Sequence, residues 1–280
     1  MPSAATHKID DYESLLVALQ DVLGIVVPER QRVRLLEELT PLLQQYKLDS
    51  IDSLAKSLTE GASGNSAEDI RSSVLELISQ RHNSWQLRSE ITDVLNNYVV
   101  AQLPQNARVW IVGCGQGQMA YSLAMELAEY EKKNGEIKGL QLFASDVPLS
   151  DIEYAQGAVY TESQTSDLSD DYKKSYLTQS VEAEGQLSWQ IKDKVSQRVT
   201  FSECDLTNDF QLLENMDLII CPEVLVYFSN GVKSGILEQF SSLLNPGGIF
   251  LTCINQAILP FTQSFERVEH PAGVFYRQKG

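Results

Sequence analysis

The hydrophobic positions of this chain change period near residue 108. Before it, apolar residues recur every three or four positions. Leu15, Leu16, Leu19, Val22 and Leu23 mark a first helix that Gly24 ends. Pro28 is placed to open a second, carrying Val33, Leu35, Leu36 and Leu39, which Pro41 is expected to kink or break for want of an N–H. Ser50 is a candidate N-cap for a short helix to Leu58, and Thr59-Glu-Gly-Ala-Ser-Gly-Asn-Ser66 reads as a polar loop. Ala67 to Ser79 is again helical, with Val74, Leu75, Leu77 and Ile78 apolar, and Glu90 to Val100 is a last helix before Leu103-Pro104. No internal repeat is visible.

From Arg108 onward, short apolar runs alternate with helical stretches, the signature of a mainly parallel sheet covered on both faces. Val109 to Val112 is followed by Gly113, Gly115 and Gly117, then by Tyr121, Leu123, Ala124, Leu127 and Ala128 at helical spacing. Strand, glycine turn and helix make the first unit of a doubly wound sheet. Gln141 to Asp146 is a second strand ending in an acid, and Val199 to Asp205 is another. Met216 to Cys221 is a buried strand that runs into Val224-Leu-Val-Tyr-Phe228, and Leu244-Asn-Pro-Gly-Gly248 turns into a further strand. Asp146 to Gly157 reads as loop and helix, and the polar stretch Thr161 to Gly185 as a helix with surface loops. The alternation of Leu187, Trp189 and Ile191 suggests a small inserted hairpin, and Phe265–His270 with Val274–Arg277 a terminal antiparallel one. The expected division is a helical domain over 1–83, a linker segment and helix over 84–106, and an α/β domain over 107–280 with a small insertion around 172–198.

Composition narrows the function classes. The 280 residues, 43% hydrophobic and 21% charged, are those of an ordinary globular protein. No apolar run approaches the ~20 residues of a membrane span, and the N-terminus lacks a signal peptide's apolar core. The four cysteines, 114, 204, 221 and 253, form no Cys-x-x-Cys pair. Reduced buried thiols, a cytoplasmic location and no metal site are therefore expected. The net charge of −16 argues against nucleic acid and offers no attraction to an anionic membrane. An acidic polypeptide substrate would need a local basic patch.

The chemistry sits on the glycine turn and the acid. Glycine lets a backbone pass close to a ligand, and a helix N-terminus offers unpaired N–H groups. Asp146, at the end of the second strand, either accepts the hydroxyls of a nucleotide ribose or caps the helix behind it. No Ser-His-Asp set is apparent, and His7 and His270 suggest nothing catalytic.

In this order, the motifs resemble a Rossmann-like class I S-adenosylmethionine (SAM) methyltransferase. With the helical region in front, the whole chain resembles the chemotaxis-receptor glutamate methyltransferases of the CheR type. The resemblance is carried by Leu48-Asp49-Ser50, Arg88, Ala120-Tyr-Ser-Leu-Ala124, Phe143-Ala-Ser-Asp146, Gly157-Ala-Val-Tyr160, Val224-Leu-Val-Tyr-Phe228 and Tyr276-Arg277. It implies a SAM cofactor, the product S-adenosylhomocysteine (SAH), and a role in signal transduction. The acceptor would be a glutamate carboxylate on an acidic protein such as a chemoreceptor's cytoplasmic domain, and the enzyme a monomer. Carried over by position, Asp146 would hold the ribose, and Cys204, Asp205 and Leu206 would flank the adenine. Gly113, Cys114, Gly115 and Gly117 would lie under the methionine moiety. His82, Ser84 and Arg88 fall in the cofactor-contacting segment before the sheet, and Gln118, Cys221, Pro222 and Glu223 complete the contacts. Arg88 and Tyr227 would stand at the methyl-transfer end.

The chain departs from the family in informative places. Where the family has Ser-Thr-Gly-Glu-Glu-Pro-Tyr-Ser, it has Gly115-Gln-Gly-Gln-Met-Ala-Tyr-Ser122, so Gln118 or Met119 replaces a carboxylate able to meet the SAM ammonium. Pro222-Glu223 replaces Arg-Asn, Ser84-Trp-Gln-Leu-Arg88 replaces Thr-x-Phe-Phe-Arg, and Cys253-Ile-Asn-Gln256 replaces Gly-His-Ser-Glu. The receptor-docking helix keeps Arg30, Arg32 and Arg34 but continues with Glu37, Glu38 and Pro41. Arg88 has a second reading as a surface ion pair, Tyr227 as a core residue, Glu223 as a solvated loop acid and His82 as plain polar loop. Two other functions stay open: the same fold with a small-molecule acceptor, and a SAM-binding or interaction module without activity.

Overall fold

The computed structural model describes residues 12–27, 29–62, 64–79, 83–87, 89–181, 186–208, 210, 215–222, 224–253 and 257–280. The chain forms two compact units, residues 1–78 with 226–233 and residues 79–225 with 234–280. The segment around Glu90–Val100, expected as a linker, thus belongs to the second unit.

The first unit is helical: α1 (Glu13–Leu23), α2 (Glu29–Gln45), α3 (Ile51–Glu60) and α4 (Ala67–Ser79). Their apolar stripes meet in a core of Leu15, Leu19, Leu35, Leu39, Leu54, Leu58, Ile70 and Val74. Gly24 ends α1 in the left-handed region, at φ 67°. A Cβ there would also press on Val232 Cγ2 at 3.2 Å. Ser50 caps α3, its hydroxyl accepting the Ser53 N–H at 3.2 Å. Contrary to expectation, α2 runs through Pro41 unbroken. Glu37 and Pro41 are both exposed, so the carbonyl deprived of its partner lies on the wet side. Thr40 Oγ1 also donates to the Leu36 carbonyl at 2.8 Å, supporting the turn beside it. Pro28 lies outside the described residues. The returning segment 226–233 pairs with the chain after α1. Ile25 bridges Phe228, Val26 N–H donates to the Tyr227 carbonyl at 2.5 Å, and Ser229 N–H to the Gly24 carbonyl at 3.0 Å.

The second unit opens with α5 (Ser89–Val94), a π-helical turn (Leu95–Val99) and α6 (Val100–Gln102). Then come β1 (Arg108–Val112), α7 (Gln118–Asn134), β2 (Gln141–Asp146), α8 (Leu149–Gly157), β3 (Val159–Thr161), α9 (Asp170–Tyr176), β4 (Leu177–Val181) and β5 (Leu187–Ile191). They are followed by α10 (Asp193–Ser196), β6 (Val199–Glu203), β7 (Met216–Ile220), α11 (Asn230–Leu243), β8 (Leu244–Leu251), β9 (Phe265–His270) and β10 (Gly273–Gln278). The main sheet has seven strands in the order β6-β2-β1-β7-β8-β10-β9. The first five are parallel, and β10 is antiparallel to both β8 and β9. This is the class I methyltransferase arrangement. Parallel strands buried on both faces read as continuous apolar runs, and Val109, Trp110, Ile111, Leu218, Ile219 and Ile220 are indeed all buried. A second, antiparallel sheet, β3-β5-β4, is inserted after α8. The sequence announced β5 by its alternation. It hid β4, whose last four residues are all exposed and so carry no pattern.

The strand order reverses between β1 and β7, where such sheets bind ligands. The turn after β1 has no room to spare. Gly113 has φ 73°, and a Cβ on it would collide with Val224 Cγ2. Gly235, inside α11, meets nothing within 4 Å. Gly113→Ala is therefore expected to destabilise the protein by ~1–3 kcal/mol. Gly235→Ala should be neutral or stabilising by up to ~1 kcal/mol. Urea unfolding of the two variants beside the parent checks both signs.

Candidate cofactor site

The site is built where β1 and β2 end. Gly113 and Cys114 both donate their N–H to the Ser145 carbonyl, at 2.9 and 3.0 Å, which fixes the glycine turn to β2. The turn continues through Gly115, at φ 51°, to Gly117, which sits at φ 91° just ahead of α7. A Cβ on Gly117 would strike Ala155 Cβ at 2.8 Å and the Phe201 ring at 3.2 Å, so helix, strand and turn meet on bare backbone.

Asp146 faces this turn. Its Oδ2 accepts the Gly115 N–H at 2.7 Å and its Oδ1 the Val147 N–H at 2.7 Å. The residue is 7% exposed. Burial pushes its carboxyl up to about 6; the two N–H donors oppose that rise, and the charge of Asp151 adds to it. Each carboxylate oxygen can accept more than one hydrogen bond, so acceptor capacity for a diol remains. Behind it, Cys204 N–H donates to the Asp146 carbonyl at 2.9 Å. Leu206 is buried. Asp205 turns its carboxylate to Thr207 and Asn208, with Thr207 N–H at 2.8 Å, so it holds its own loop. Burial raises the Cys204 thiol to about 11 and drives Cys114 well above the ordinary thiol range, with the charge of Asp146 adding to the latter. Neither thiol is ionised near neutrality.

Several residues of this constellation escaped the sequence reading. Asn83 Oδ1 accepts the Gln116 N–H at 3.0 Å, Gln116 Nε2 donates to Asp151 Oδ1 at 3.1 Å, and Tyr160 OH donates to the Gln116 carbonyl at 2.6 Å. Trp85 Nε1 donates to the Gln164 carbonyl at 2.6 Å and sets its ring edge-on to Tyr160 at 5.0 Å. The segment before the sheet is thereby tied to the glycine turn. Long-range contacts of this kind leave no local pattern; the one available signal was an acid, Asp151, in the first turn of α8.

Gln118, the first residue of α7, is 1% exposed. Its Oε1 has no hydrogen-bond partner among the described residues. Leaving such an acceptor unmet costs ~1–3 kcal/mol, and an N–H brought to it would recover that cost. The glycine turn, the buried Asp146 carboxylate and this acceptor together suit the adenosyl and amino-acid parts of SAM.

A cavity of about 830 Å³ opens beside this site, lined among others by Ser84, Trp85, Leu87, Met119, Tyr172 and Pro222. It takes in Ser84 and Pro222 from the expected contacts but not the glycine turn or Asp146. Ser84 Oγ is turned locally, accepting the Gln86 N–H at 3.1 Å. Cys221 is buried, its N–H donating to the Leu251 carbonyl at 2.9 Å. Tyr227 falls in the helical unit, partly buried against that unit's core. His82, Arg88 and Glu223 lie outside the described residues. Among the described residues no group of three or more His, Cys, Asp or Glu is placed to hold a metal, and no helix is long and apolar enough to cross a membrane.

Comparison with known proteins bears directly on this geometry. A family model described as "CheR methyltransferase, SAM binding domain" matches residues 78–274. The chain is 26% identical over 282 residues to "Chemotaxis protein methyltransferase 1" of Vibrio cholerae, covering 99% of this chain and 100% of that protein. It is 28% identical over 277 residues to "Chemotaxis protein methyltransferase 1" of Pseudomonas aeruginosa, covering 96% and 98%. Among solved structures, a TehB-like SAM-dependent methyltransferase from Corynebacterium glutamicum overlaps 70% of this chain and 89% of its own, at 13% identity and a TM-score of 0.40. The glycine turn, its facing carboxylate and the sheet order therefore have one source: the chain belongs to the CheR family and is a SAM-dependent methyltransferase.

Proposed function

We propose that this protein methylates glutamate side chains of a chemoreceptor-like protein in the cytoplasm. The observation that carries the reading is its match, across 99% of the chain, to a protein named as a chemotaxis methyltransferase. The site's chemistry supports it. A glutamate carboxylate has pKa ~4.3 and is already an anion at neutral pH, so no general base is needed. Bound SAM supplies an electrophilic methyl on a sulfonium. That methyl would pass to the acceptor carboxylate, leaving SAH. The protein's part is to align the groups and keep water out. Asp146 holds the ribose, and Gln118 Oε1 takes an N–H of the methionine ammonium. Arg88, by a bidentate pair with the acceptor carboxylate, and Tyr227, at the methyl end, orient the reacting groups.

Asp146→Ala removes charge-assisted hydrogen bonds worth ~1.5–3 kcal/mol. It should weaken SAH binding about ten- to a hundredfold in calorimetry; unchanged affinity refutes the ribose assignment.

The pH response follows from the carboxyl raised to about 6. A ligand that donates to the carboxylate binds the ionised form, so proton and ligand compete. SAH affinity should be flat above that pH and fall by at most about tenfold per pH unit below it. Asp146→Asn should flatten the acid limb. Calorimetric titration between about pH 5 and pH 8 reads both.

Arg88→Ala and Tyr227→Phe should lower methyl transfer to receptor-bearing membranes by ~10²-fold while SAH affinity stays nearly intact. Labelled-methyl assays run beside binding titrations measure the split. If neither variant loses turnover on an accepted substrate, these assignments fail.

A further inference from the structure

The glycine turn is shaped by side chains that do not belong to it. Gln116 stands at its middle, between Gly115 at φ 51° and Gly117 at φ 91°. Glycine takes either sign of φ readily, so the peptides on both sides of Gln116 could turn several ways. Two side chains from elsewhere fix them. Asn83 Oδ1 accepts the N–H of the Gly115–Gln116 peptide at 3.0 Å, and the Tyr160 hydroxyl donates to the carbonyl of the Gln116–Gly117 peptide at 2.6 Å. The side chain of Gln116 is engaged as well. Its Nε2 donates to Asp151 Oδ1 at 3.1 Å, and its Oε1 accepts from Gln164 Nε2 at 3.2 Å. Every hydrogen-bonding group of Gln116 thus turns to the protein, while Gly115 sends its own N–H to Asp146.

Asn83 and Tyr160 are themselves held. Tyr160 is fully buried, and its ring meets Trp85, Tyr154 and Tyr121 edge-on at 5.0, 5.7 and 6.3 Å. Burial drives its hydroxyl well above the ordinary phenol range, so it stays protonated and able to donate to the carbonyl. Two residues past Asn83, Trp85 Nε1 donates to the Gln164 carbonyl at 2.6 Å. Gln164 Oε1 accepts from the Tyr154 hydroxyl and the Thr161 N–H, both at 2.9 Å. The lock therefore runs from the segment before the sheet, through β3 and the turn that follows it, to the glycine turn.

We infer that Asn83 and Tyr160 are positioning residues for the cofactor: they orient the peptides around Gln116 and so hold the Gly115 N–H on Asp146, the arrangement that receives the ribose. The inference rests on the ribose assignment above, but its test separates the two. Tyr160→Phe deletes one oxygen, and Asn83→Ala one amide at a half-buried position. Tyr154→Phe is the control, because it removes a hydroxyl from the same network without touching Gln116. Calorimetry of SAH binding to the full-length protein between about pH 5 and pH 8, beside thermal melts, reads all three. At the upper end of that range both positioning variants should bind SAH about tenfold more weakly, and the control within about twofold of the parent.

The acid limb gives a second readout, one that a merely structural role would not move. Among the described residues, the titratable groups facing Asp146 are Asp151 on α8 and the thiols of Cys114, Cys204 and Cys221, and burial keeps the thiols neutral. A turn that withdraws the Gly115 N–H leaves burial less opposed, so the Asp146 carboxyl rises and the limb moves to higher pH, by about half a unit or more. The control should show no such shift. SAH affinity within about twofold of the parent in both positioning variants, an equal loss in the control, or an affinity loss with an unmoved limb each overturns the inference. Should one variant fail to fold, the other decides. A parent protein without an acid limb refutes the ribose assignment instead, and the affinity losses against the control then decide the positioning role.

Discussion

The cofactor half of this protein depends on one carboxylate held out of water. Asp146 takes two backbone N–H groups, one from the glycine turn and one from its own successor. Its carbonyl takes a third, from Cys204 at the end of the neighbouring strand. One residue thus ties together the glycine turn, the start of the loop after β2 and the end of β6. The arrangement requires that Gly115 bring its amide to the acid, hence the left-handed backbone through the turn. It also requires that α7 begin close against β6, hence the bare Gly117 under Phe201. Burial disfavours the charge, and the N–H donors oppose that effect without cancelling it.

That economy explains what the family resemblance left unsettled. The substitutions at Gln118 and Met119 replace acidic positions beside the turn yet leave its geometry alone, because the turn is held by backbone and by Asp146. An amide oxygen accepts a hydrogen bond from an ammonium as a carboxylate does, with less charge and so less attraction.

Much of the architecture was legible because its physics is local. Buried parallel strands are apolar throughout, so β1, β2 and β7 stood out. The alternation of Leu187, Trp189 and Ile191 announced β5, and Ser50 capped the helix it was expected to cap. What stayed hidden was non-local or patternless. β4 is polar and exposed along most of its length. Pro41 sits in a helix whose solvent face tolerates it. Gln116 is held by Asn83, Asp151 and Tyr160, partners more than 30 residues away in sequence. The Gly-x-Gly-x-Gly spacing and the acid of β2 pointed to the site, yet nothing in the sequence said that Gln118 would be buried with its oxygen unmet.

The return of residues 226–233 to the helical unit has a consequence for how the chain is made. The backbone after α1 finds its pairing partner in Phe228, about two hundred residues further on. On a ribosome delivering ~5–20 residues per second, α1 to α4 emerge early but stay without that partner until nearly all of the sheet's parallel strands have been synthesised. The helical unit is first in sequence and among the last to be completed. Its final hydrogen bonds form only after β7 has left the ribosome, so an N-terminal fragment, however long its helices, is an unfinished object.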